Sequence, residues 1–370
     1  MPLQKRRRSA RIWLRYSALI VPGLRHGPGC YAHPEPASPA RALNTQVRFT
    51  APGVAELVHS DLPVCAPNQL LVRAVASLIS PGTERAFLLG LENTARNYPM
   101  GAGYSMVAEV IEVGAEVSGW AEGDRLAVPI EHQRIAAVRP QHCTPVPDDL
   151  ASEQACFFFM AAIALQGVRK ARIELGEGVA TLGAGIIGLL AMQWAKLNGA
   201  VPALTLDVDD TRLELARNLG ADAALHLQGD YLDRIAALCD GGKPQVVVDA
   251  TGHPAAVTSA FDIIAHHGRL VLLGSTRGNT SDVNFYRDVH KTGLTLIGAH
   301  NSVRPVADSS PGYWTLADDH RLVLRCLAAG RLRVAGLATH RFAWEDAPAA
   351  YAELTAWNPE TLGLILNWAD

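Results

Sequence analysis

The feature that most constrains the fold is a glycine-rich turn, Gly183–Gly188 (GAGIIG), between two apolar segments. Val179–Leu182 has the length and apolar character of a buried strand, and the apolar spacing after the turn predicts a helix over Leu189–Asn198. A second apolar strand, Val201–Leu206, ends at Asp207. A strand, a G-x-G-x-x-G turn, a helix and a second strand ending in an acid are typical of a dinucleotide-binding unit.

Each glycine of this turn has a separate role in such a unit. Gly183 permits the tight turn, Gly185 lets the backbone approach a pyrophosphate, and Gly188 lets the helix pack closely on the strand. Ile187 lies at the helix N-terminus, where unpaired N–H groups and the helix dipole attract the pyrophosphate. Asp207 follows Gly183 by 24 residues, which suits a hydrogen bond to the adenosine ribose. A purely structural glycine turn is the alternative that this order of elements disfavours.

The acid at the end of the second strand also predicts which nicotinamide cofactor is preferred. A 2′-phosphate would lie against the negative charge of Asp207, so we expect NAD(H). Arg212 lies just downstream and can offset that repulsion, which leaves NADP(H) as the alternative.

The chain on either side of this unit divides into two kinds of structure. Short strands separated by turn residues predict an antiparallel, barrel-like domain from Asn44 onward. Alternating strands and helices predict a parallel, doubly wound sheet after Asp207. The predicted barrel strands are Gln46–Thr50, Val54–His59, Gln69–Ser77, Met106–Val113 and Arg125–Pro129. Ser152–Lys170 is a predicted helix between the two parts, and Leu294–Gly298 is predicted as the last strand of the parallel sheet, at its edge.

The first 43 residues differ in charge from the rest of the chain. Met1–Leu43 has eight Lys and Arg residues and one Glu, whereas the whole chain has a net charge of −3. The remainder is therefore acidic, which argues against a nucleic-acid partner. Proline, glycine and the lack of periodicity predict a disordered or non-native leader over residues 1–43. A signal peptide is the alternative, but Arg11 and Arg15 interrupt its apolar part.

Two further features of composition bear on location. No apolar run has the length of a membrane span, so we expect no membrane partner. The six cysteines are scattered without a C-x-x-C pair. This spacing predicts neither a disulfide framework nor a zinc ribbon, and it favours reduced thiols in the cytoplasm.

Several motifs together resemble the medium-chain dehydrogenase/reductase superfamily. The resemblance covers the chain from Asn44 onward and implies an α/β protein. It implies a β-rich, GroES-like barrel catalytic domain over 44–165 and 300–370, and a doubly wound Rossmann dinucleotide-binding domain over 166–299. The motifs are Gly123-Asp124-Arg125, Leu182–Gly188, Leu215–Ala221, Asp249–Gly252, Gly268–Val271 and Leu294–Gly298.

The chain departs from the zinc-dependent members of this superfamily at every metal ligand. Where those enzymes have a Cys, a Gly-His-Glu motif and a later Cys, this chain has Ser80, Gly103-Tyr104-Ser105 and Met160. The four-cysteine structural zinc lobe is also absent from the sequence. Because ligands that suit zinc are missing, we predict no metal.

The same segments are similar to a zinc-independent branch of the superfamily. That branch includes bacteriochlorophyllide-type dehydrogenases and the dehydrogenase-like half of two-domain oxidoreductases from sugar pathways. The similarity rests on Pro81–Arg85, on Gly103-Tyr104-Ser105 and on Ala164–Gly167.

Without a metal, a proton donor or acceptor must lie near the reacting oxygen. Glu84 and Tyr104 are the candidates, because they lie in the segments that carry the metal site in zinc-dependent relatives. Thr83 and Ser80 can complete a hydrogen-bond relay. For Glu84 the alternative is a carboxylate paired with Arg85, and for Tyr104 it is a packed aromatic ring.

The resemblance also assigns positions along the cofactor and the substrate. It places cofactor contacts at Thr251, Gly274, Ser275, Ala299 and His300. Three further residues lie in irregular or loop segments and are candidates for substrate contacts, although plain packing is the alternative: Tyr98, Asn301 and Trp314.

These observations predict a zinc-independent, NAD(P)(H)-dependent dehydrogenase or reductase. Its substrate would be a secondary alcohol or ketone on a cyclitol, a sugar-like molecule or another biosynthetic intermediate. One alternative is an enoyl reductase, and another is a protein that binds the cofactor without catalysis. The edge strand Leu294–Gly298 predicts pairing into a homodimer or a dimer of dimers.

Overall fold

The computed structural model describes residues 43–356, 358 and 360–369. The predicted leader lies outside these residues except for Leu43, which begins the first strand. The strands are β1 Leu43–Ala51, β2 Val54–Asp61, β3 Leu70–Ile79, β4 Met100–Gly101, β5 Met106–Val113, β6 Arg125–Val128, β7 Ile135–Val138, β8 Thr144–Pro145, β9 Val179–Leu182, β10 Ala203–Asp207, β11 Ala223–His226, β12 Val246–Asp249, β13 Arg269–Leu272, β14 Thr295–Gly298, β15 Ala338–Ala343 and β16 Gly363–Asn367.

The α-helices alternate with the strands mainly in the second half of the chain. They are α1 Pro81–Leu89, α2 Ser152–Ala155, α3 Phe158–Ala171, α4 Ile186–Leu197, α5 Asp210–Asn218, α6 Tyr231–Leu238, α7 Pro254–Ile263, α8 Leu316–Ala328 and α9 Ala347–Thr355. In the described part of the chain, no helix combines the length and the apolar character needed to cross a bilayer.

Six strands form one parallel sheet in the order β11-β10-β9-β12-β13-β14. The order runs outward in both directions from β9, the strand that leads into the glycine turn, as in a doubly wound sheet. β9, β10 and β12 are buried throughout, because helices cover both faces of such a sheet. The predicted doubly wound unit is therefore present, and β14 lies at one edge of it.

The β-rich part contains a three-stranded sheet and a seven-stranded sheet. β1 pairs with β2 and β4. The larger sheet has the order β15-β16-β3-β5-β6-β8, with β7 also paired to β3. Its pairs are antiparallel except for β15 and β16, so the sheet is mixed rather than purely antiparallel. The C-terminal strand β16 returns to β3, as expected for the tail of the chain.

Two helices differ from the sequence prediction. The segment after β3 forms α1, which begins with Pro81 at its first position, where proline suits a helix start. The predicted helix over Ser152–Lys170 is instead two helices, α2 and α3, separated by a turn at Cys156 and Phe157. The predicted boundary between residues 165 and 166 lies inside α3, so the division into domains remains a proposal.

Helix α3 links the two parts of the molecule. It is largely buried, and it packs against α4, α8 and β13. One hydrophobic core includes Leu78 and Val107 of the mixed sheet, Ala161 of α3 and Leu190 of α4. The segments at the two ends of α3 are thereby held against both sheets.

Candidate active site and cofactor site

The glycine turn has the geometry that a pyrophosphate requires. Gly183 has a φ of +92°, in the left-handed region that favours glycine. A Cβ at Gly188 would overlap the carbonyl oxygen of Gly183, so the close approach of α4 to β9 needs glycine there. A Cβ at Gly185 would meet no atom within 4 Å, so this position faces open space. Ile187 lies in the first turn of α4, which begins without a side-chain cap and leaves its N–H groups for a ligand.

Asp207 ends β10 beside this turn. Its carboxylate accepts hydrogen bonds from the backbone N–H groups of Ala184 at 2.5 Å, Val208 at 2.7 Å and Asp209 at 3.0 Å. These bonds fix the carboxylate next to the glycine turn, where an adenosine ribose would lie. Arg212 lies in the first turn of α5, and its backbone N–H donates to the Asp209 side chain at 2.9 Å.

The other predicted cofactor residues follow the neighbouring strands at the same edge. The Thr251 hydroxyl donates to Asp249 at 2.6 Å, and a Cβ at Gly183 would lie 3.0 Å from the Thr251 methyl group. A Cβ at Gly274 would lie 2.5 Å from the backbone nitrogen of Gly252, so these two loops touch. Ser275 follows directly and likewise lies against Gly252.

The segment after β14 completes this edge. Ala299 is buried, and its carbonyl oxygen accepts a hydrogen bond from Gln166 of α3. His300 is exposed and shares a hydrogen bond of 2.7 Å with Ser302. The cofactor candidates thus lie at the carboxyl ends of β9, β10, β12, β13 and β14, where ligands bind to open parallel sheets. The residues present fit a dinucleotide.

Glu84 lies on the first turns of α1 and is almost fully buried. One carboxylate oxygen, Oε1, accepts a hydrogen bond of 2.8 Å from the backbone N–H of Ser80. The other, Oε2, lies 3.3 Å from Nε2 of His132 and also accepts a hydrogen bond from the hydroxyl of Tyr351. Both oxygens are therefore bound within the protein. These contacts differ from the alternative, in which Glu84 is a surface carboxylate paired with Arg85.

Tyr104 lies next to this carboxylate. The side chains of Ser80 and Thr83 lie close to its hydroxyl. Burial, and then the negative charge of Glu84, raises the pKa of Tyr104 well above its usual value, although the nearby Ser80 and Thr83 side chains oppose the rise. The four predicted catalytic residues are thus brought together, with Tyr104 as a neutral phenol over the neutral pH range.

Two residues of this cluster have no signal in the sequence. His132 and Tyr351 are 48 and 267 residues from Glu84 along the chain. His132 follows β6, and its ring lies so close to Gly103 that a Cβ there would overlap it. Tyr351 is a buried residue of α9 whose ring meets Phe49 edge-on at 5.1 Å. Only the folded chain brings these side chains to Glu84.

The positions that hold catalytic zinc in zinc-dependent relatives do not suit the metal here. Ser80 supplies a hydroxyl, Tyr104 a phenol with a raised pKa, and Met160 a buried thioether. Zinc prefers thiolate, imidazole and carboxylate ligands. Within the described ranges, no three His, Cys, Asp or Glu residues form a group that could hold a metal ion. These residues do not fit a zinc ion.

The predicted substrate residues separate into two places. The Tyr98 hydroxyl donates to the carbonyl oxygens of Phe87 at 2.5 Å and Leu88 at 3.2 Å, so it closes the end of α1. Asn301 and Trp314 lie instead near a cavity beside α3. Asn301 accepts a hydrogen bond of 2.8 Å from Arg304, and Trp314 lines the cavity.

A buried ion network holds the segment after β14 in place. Asp319 of α8 is fully buried and pairs with Arg169 of α3 and with Arg304. Arg304 also donates to the carbonyl oxygen of Ala162 at 2.6 Å. The guanidinium of Arg169 lies over the ring of Trp314, 4.1 Å from its centre. No pattern in the sequence singles out Arg169, Arg304 or Asp319, because their pairing depends on tertiary structure.

Comparison with known proteins adds family relationships to this geometry. A family model described as zinc-binding dehydrogenase matches residues 187–309. The chain is 26% identical over 355 residues to an alcohol dehydrogenase of Cupriavidus necator, with 82% of this chain and 93% of that protein covered. It is 24% identical over 350 residues to human sorbitol dehydrogenase, with 85% and 94% covered.

A solved structure shows the same fold. A zinc-binding dehydrogenase from Sinorhizobium meliloti, bound to NADP, superposes with a TM-score of 0.74 at 23% identity, covering 88% of this chain and 99% of that one. The expected α/β class with GroES-like and Rossmann parts is therefore confirmed. The predicted enzyme class, an NAD(P)-dependent oxidoreductase, is confirmed as well.

The predicted zinc independence is a separate matter. The description of the matching family includes zinc binding, so the absence of zinc stays a prediction about this chain. The relatives, the fold and the cofactor site support a similarity at the level of the superfamily and do not distinguish its zinc-independent branch. On these grounds the chain is similar to the medium-chain zinc-type alcohol dehydrogenase superfamily.

Proposed function

We propose that this chain is a zinc-independent, NAD(P)(H)-dependent dehydrogenase that interconverts a secondary alcohol and a ketone. Its substrate is a cyclitol, a sugar-like molecule or another biosynthetic intermediate. The observation that carries the proposal is the position of Tyr104, whose hydroxyl lies beside Ser80, Thr83 and the buried carboxylate of Glu84 at the place of the metal ligands. The names of the alcohol and sorbitol dehydrogenases support the reaction class and a polyol-like substrate.

The cofactor site supports NAD(H), with NADP(H) as the alternative. The bound carboxylate of Asp207 favours a free ribose over a 2′-phosphate, since like charges repel. The NADP of the Sinorhizobium meliloti protein supports the alternative. Gly183, Gly185, Ile187 and Gly188 would hold the pyrophosphate, whereas Thr251, Gly274, Ser275, Ala299 and His300 would lie along the rest of the cofactor.

The proton is handled by the chain's own residues. When bound, the nicotinamide supplies or accepts a hydride at the carbinol carbon. Tyr104 gives a proton to the carbonyl oxygen during reduction and takes it back during oxidation. Ser80 and Thr83 orient the Tyr104 hydroxyl, and Glu84 holds Ser80 through its backbone N–H. Glu84 is thus a positioning residue, because both its oxygens are bound within the protein.

The organisation of the molecule follows from this proposal. The mixed sheet with 44–165 and 300–370 would form the catalytic domain, and 166–299 the cofactor domain. Pairing through β14 would give a homodimer or a dimer of dimers. A biosynthetic enzyme of this kind, working in the cytoplasm, needs no nucleic-acid or membrane partner.

Tyr104→Phe tests the role of the hydroxyl without changing the ring. We expect kcat for alcohol oxidation and ketone reduction to fall by about 10²–10⁴, the usual contribution of a positioned acid or base. Tyr231→Phe is the matched control, since Tyr231 lies on α6, after the strand at the opposite edge of the parallel sheet. The measurement is steady-state kinetics on a panel of cyclitols and alditols, with NADH binding followed by fluorescence.

Other outcomes of the same measurements separate the alternatives. Unchanged kcat in Tyr104→Phe contradicts the role of Tyr104, and stoichiometric zinc in the purified protein contradicts the metal-free mechanism. Activity restricted to α,β-unsaturated carbonyl compounds favours an enoyl reductase. NADH binding without turnover of any substrate favours a cofactor-binding protein.

A further inference from the structure

The segment after β14, Gly298–Arg304, is held by polar side chains of α3. The Nε2 of Gln166 donates a hydrogen bond to the carbonyl oxygen of Ala299. One turn later on the same helix, the Nζ of Lys170 donates to the carbonyl oxygen of Gly298 at 3.2 Å. Two consecutive backbone carbonyls are therefore bound by side chains four residues apart, which lie on one face of a helix.

Arg304 ties the other end of the same segment to α3. Its Nη2 donates to the carbonyl oxygen of Ala162 at 2.6 Å, and its Nε donates to the side chain of Asn301 at 2.8 Å. Its Nη1 pairs with the buried carboxylate of Asp319. The Arg304 side chain is 7% exposed, and each of its three guanidinium nitrogens is bound within the protein. Arg304 therefore holds the chain in place and is not open to a ligand.

The place of this segment in the parallel sheet suits the nicotinamide half of the proposed cofactor. Asp207 at the end of β10 is the proposed contact of the adenosine ribose, and the turn after β9 is that of the pyrophosphate. The sheet order β10-β9-β12-β13-β14 leaves the other direction for the rest of the dinucleotide, over β12, β13 and β14. Neighbouring strands are about 4.8 Å apart, so β14 lies about 14 Å from β9. The segment that α3 holds is at the far end of that path.

Stability alone does not account for a glutamine at position 166. The side chain is buried, and its Oε1 has no hydrogen-bond partner among the described residues. A buried acceptor without a partner costs free energy, whereas an apolar side chain of similar volume would avoid that cost. What the amide adds is the bond from Nε2 to Ala299, which fixes the backbone just after β14. A local cost of this kind is typical of a functional position.

Helix α3 also contacts the proposed proton donor. The ring of Phe159, at the start of α3, lies 4.9 Å from the ring of Tyr104. Phe159 and Gln166 are seven residues apart, so they lie on the same face of the helix and about 10 Å apart along its axis. One helix thus contacts both Tyr104 and the segment after β14, and it sets the spacing between them.

We propose that Gln166, Lys170 and Arg304 are positioning residues for the nicotinamide half of the cofactor. They act through the segment Gly298–Arg304, whose backbone they hold, and they need not touch the cofactor. A segment that is already ordered costs less to bind against, so the nicotinamide is held more tightly. The inference rests on the dehydrogenase function proposed above and adds three residues that the family resemblance does not assign.

Gln166→Leu tests the proposal, because it removes the donor to Ala299 and preserves most of the volume. On the full chain, NADH binding is followed by fluorescence and ADP-ribose binding by calorimetry. ADP-ribose has the adenosine half and the pyrophosphate but no nicotinamide. We expect Kd for NADH to rise about tenfold, as for the loss of one buried hydrogen bond, and Kd for ADP-ribose to change by less than about twofold. The unfolding midpoint should stay near that of the wild type, since the unpaired Oε1 is lost as well.

Two other positions provide the control and a second variant. Gln193 is a buried glutamine of α4 that donates to the backbone carbonyl oxygen of Arg333 at 2.9 Å, outside the proposed cofactor site. We expect Gln193→Leu to lower the unfolding midpoint and to leave the ratio of the two Kd values unchanged. Lys170→Met changes a half-buried residue, where folding is less at risk. It should raise Kd for NADH alone by about threefold, and Lys170→Arg, which keeps a donor, should restore the affinity.

The two ligands separate the ways in which the inference can fail. Equal NADH affinity in the wild type, Gln166→Leu and Lys170→Met overturns the inference and leaves the cofactor site standing. An equal loss of NADH and ADP-ribose binding in both variants overturns it as well, because the change would then affect the whole dinucleotide site. A wild type that binds neither ligand contradicts the proposed dehydrogenase function itself.

Discussion

At the scale of single residues, the Glu84 carboxylate and the Tyr104 phenol have different tasks. Both oxygens of Glu84 are bound by Ser80, His132 and Tyr351. Glu84 therefore acts through its charge and through its hydrogen bond to the backbone of Ser80 at the start of α1. Its charge is the second cause, after burial, of the raised pKa of Tyr104. A phenol with a raised pKa stays protonated to higher pH. In the proposed mechanism it is therefore the proton donor for ketone reduction at neutral pH, and its base form increases only as the pH rises.

Glu84→Gln should lower the pKa of Tyr104, because it removes a negative charge but keeps the shape of the side chain. The alkaline limb of the pH–rate profile for alcohol oxidation should therefore move to lower pH. Unfolding by denaturant should show a loss of about 1–3 kcal/mol, the cost of disturbing buried hydrogen bonds. Glu109→Gln is the control, since its pair with Arg73 is exposed and contributes less than about 1 kcal/mol. A pH profile that does not move contradicts the coupling of Glu84 to Tyr104.

The sequence predicts Ser80, Thr83, Glu84 and Tyr104 as members of this cluster, but it does not predict His132 and Tyr351. Ser80, Thr83 and Glu84 are adjacent, and the resemblance pairs their segment with the one that contains Tyr104. His132 and Tyr351 come from a loop and from α9, and no periodicity links either segment to α1. Long-range polar contacts of this kind depend on how sheets and helices pack, so a single sequence does not reveal them.

At the scale of elements, the glycine turn between β9 and α4 separates a structural glycine from a binding glycine. A methyl group at position 188 would strike the Gly183 carbonyl oxygen, whereas one at position 185 would meet no protein atom within 4 Å. Gly185 has a φ of −75°, which alanine adopts without strain. Gly188 is thus required by the packing of α4 on β9, whereas Gly185 is required only if a ligand approaches the turn.

Gly188→Ala and Gly185→Ala should accordingly fail in different ways. We expect Gly188→Ala to cost about 1–3 kcal/mol of unfolding free energy, as overpacking does. Gly185→Ala should change stability by less than about 0.5 kcal/mol, as surface substitutions do, and weaken NADH binding about tenfold, because the methyl group occupies the approach to the pyrophosphate. Denaturant unfolding and NADH titration measure both effects. Equal NADH affinity in wild type and Gly185→Ala contradicts the pyrophosphate site.

The elements themselves are predicted best where periodicity or length is clear. The strands Val179–Leu182 and Met106–Val113 have the predicted bounds. Helix α1 is missed because the Pro81-Gly82 pair indicates a turn, although proline also suits the first position of a helix. The break between α2 and α3 is missed because apolar residues continue through it and hide the turn.

At the scale of the whole molecule, one edge of the parallel sheet is open among the described residues. β14 pairs with β13 on one side, and no described strand covers its other side. Leu296 in this strand is 37% exposed, and Phe285 and Tyr286 in the preceding segment are 66% and 65% exposed. An open strand with apolar residues nearby is a template for pairing with another chain. These features support the proposed dimer.

Leu296→Lys should therefore shift the protein from dimer to monomer in sedimentation equilibrium, where the single chain has a mass of 39.6 kDa. A lysine on an open strand opposes pairing, because its charge would have to lose water at the interface. Leu175→Lys is the matched control, since Leu175 is 87% exposed and precedes β9 in the interior of the sheet. It should leave the dimer intact. A monomeric wild type, or a dimer that survives Leu296→Lys, contradicts pairing through β14.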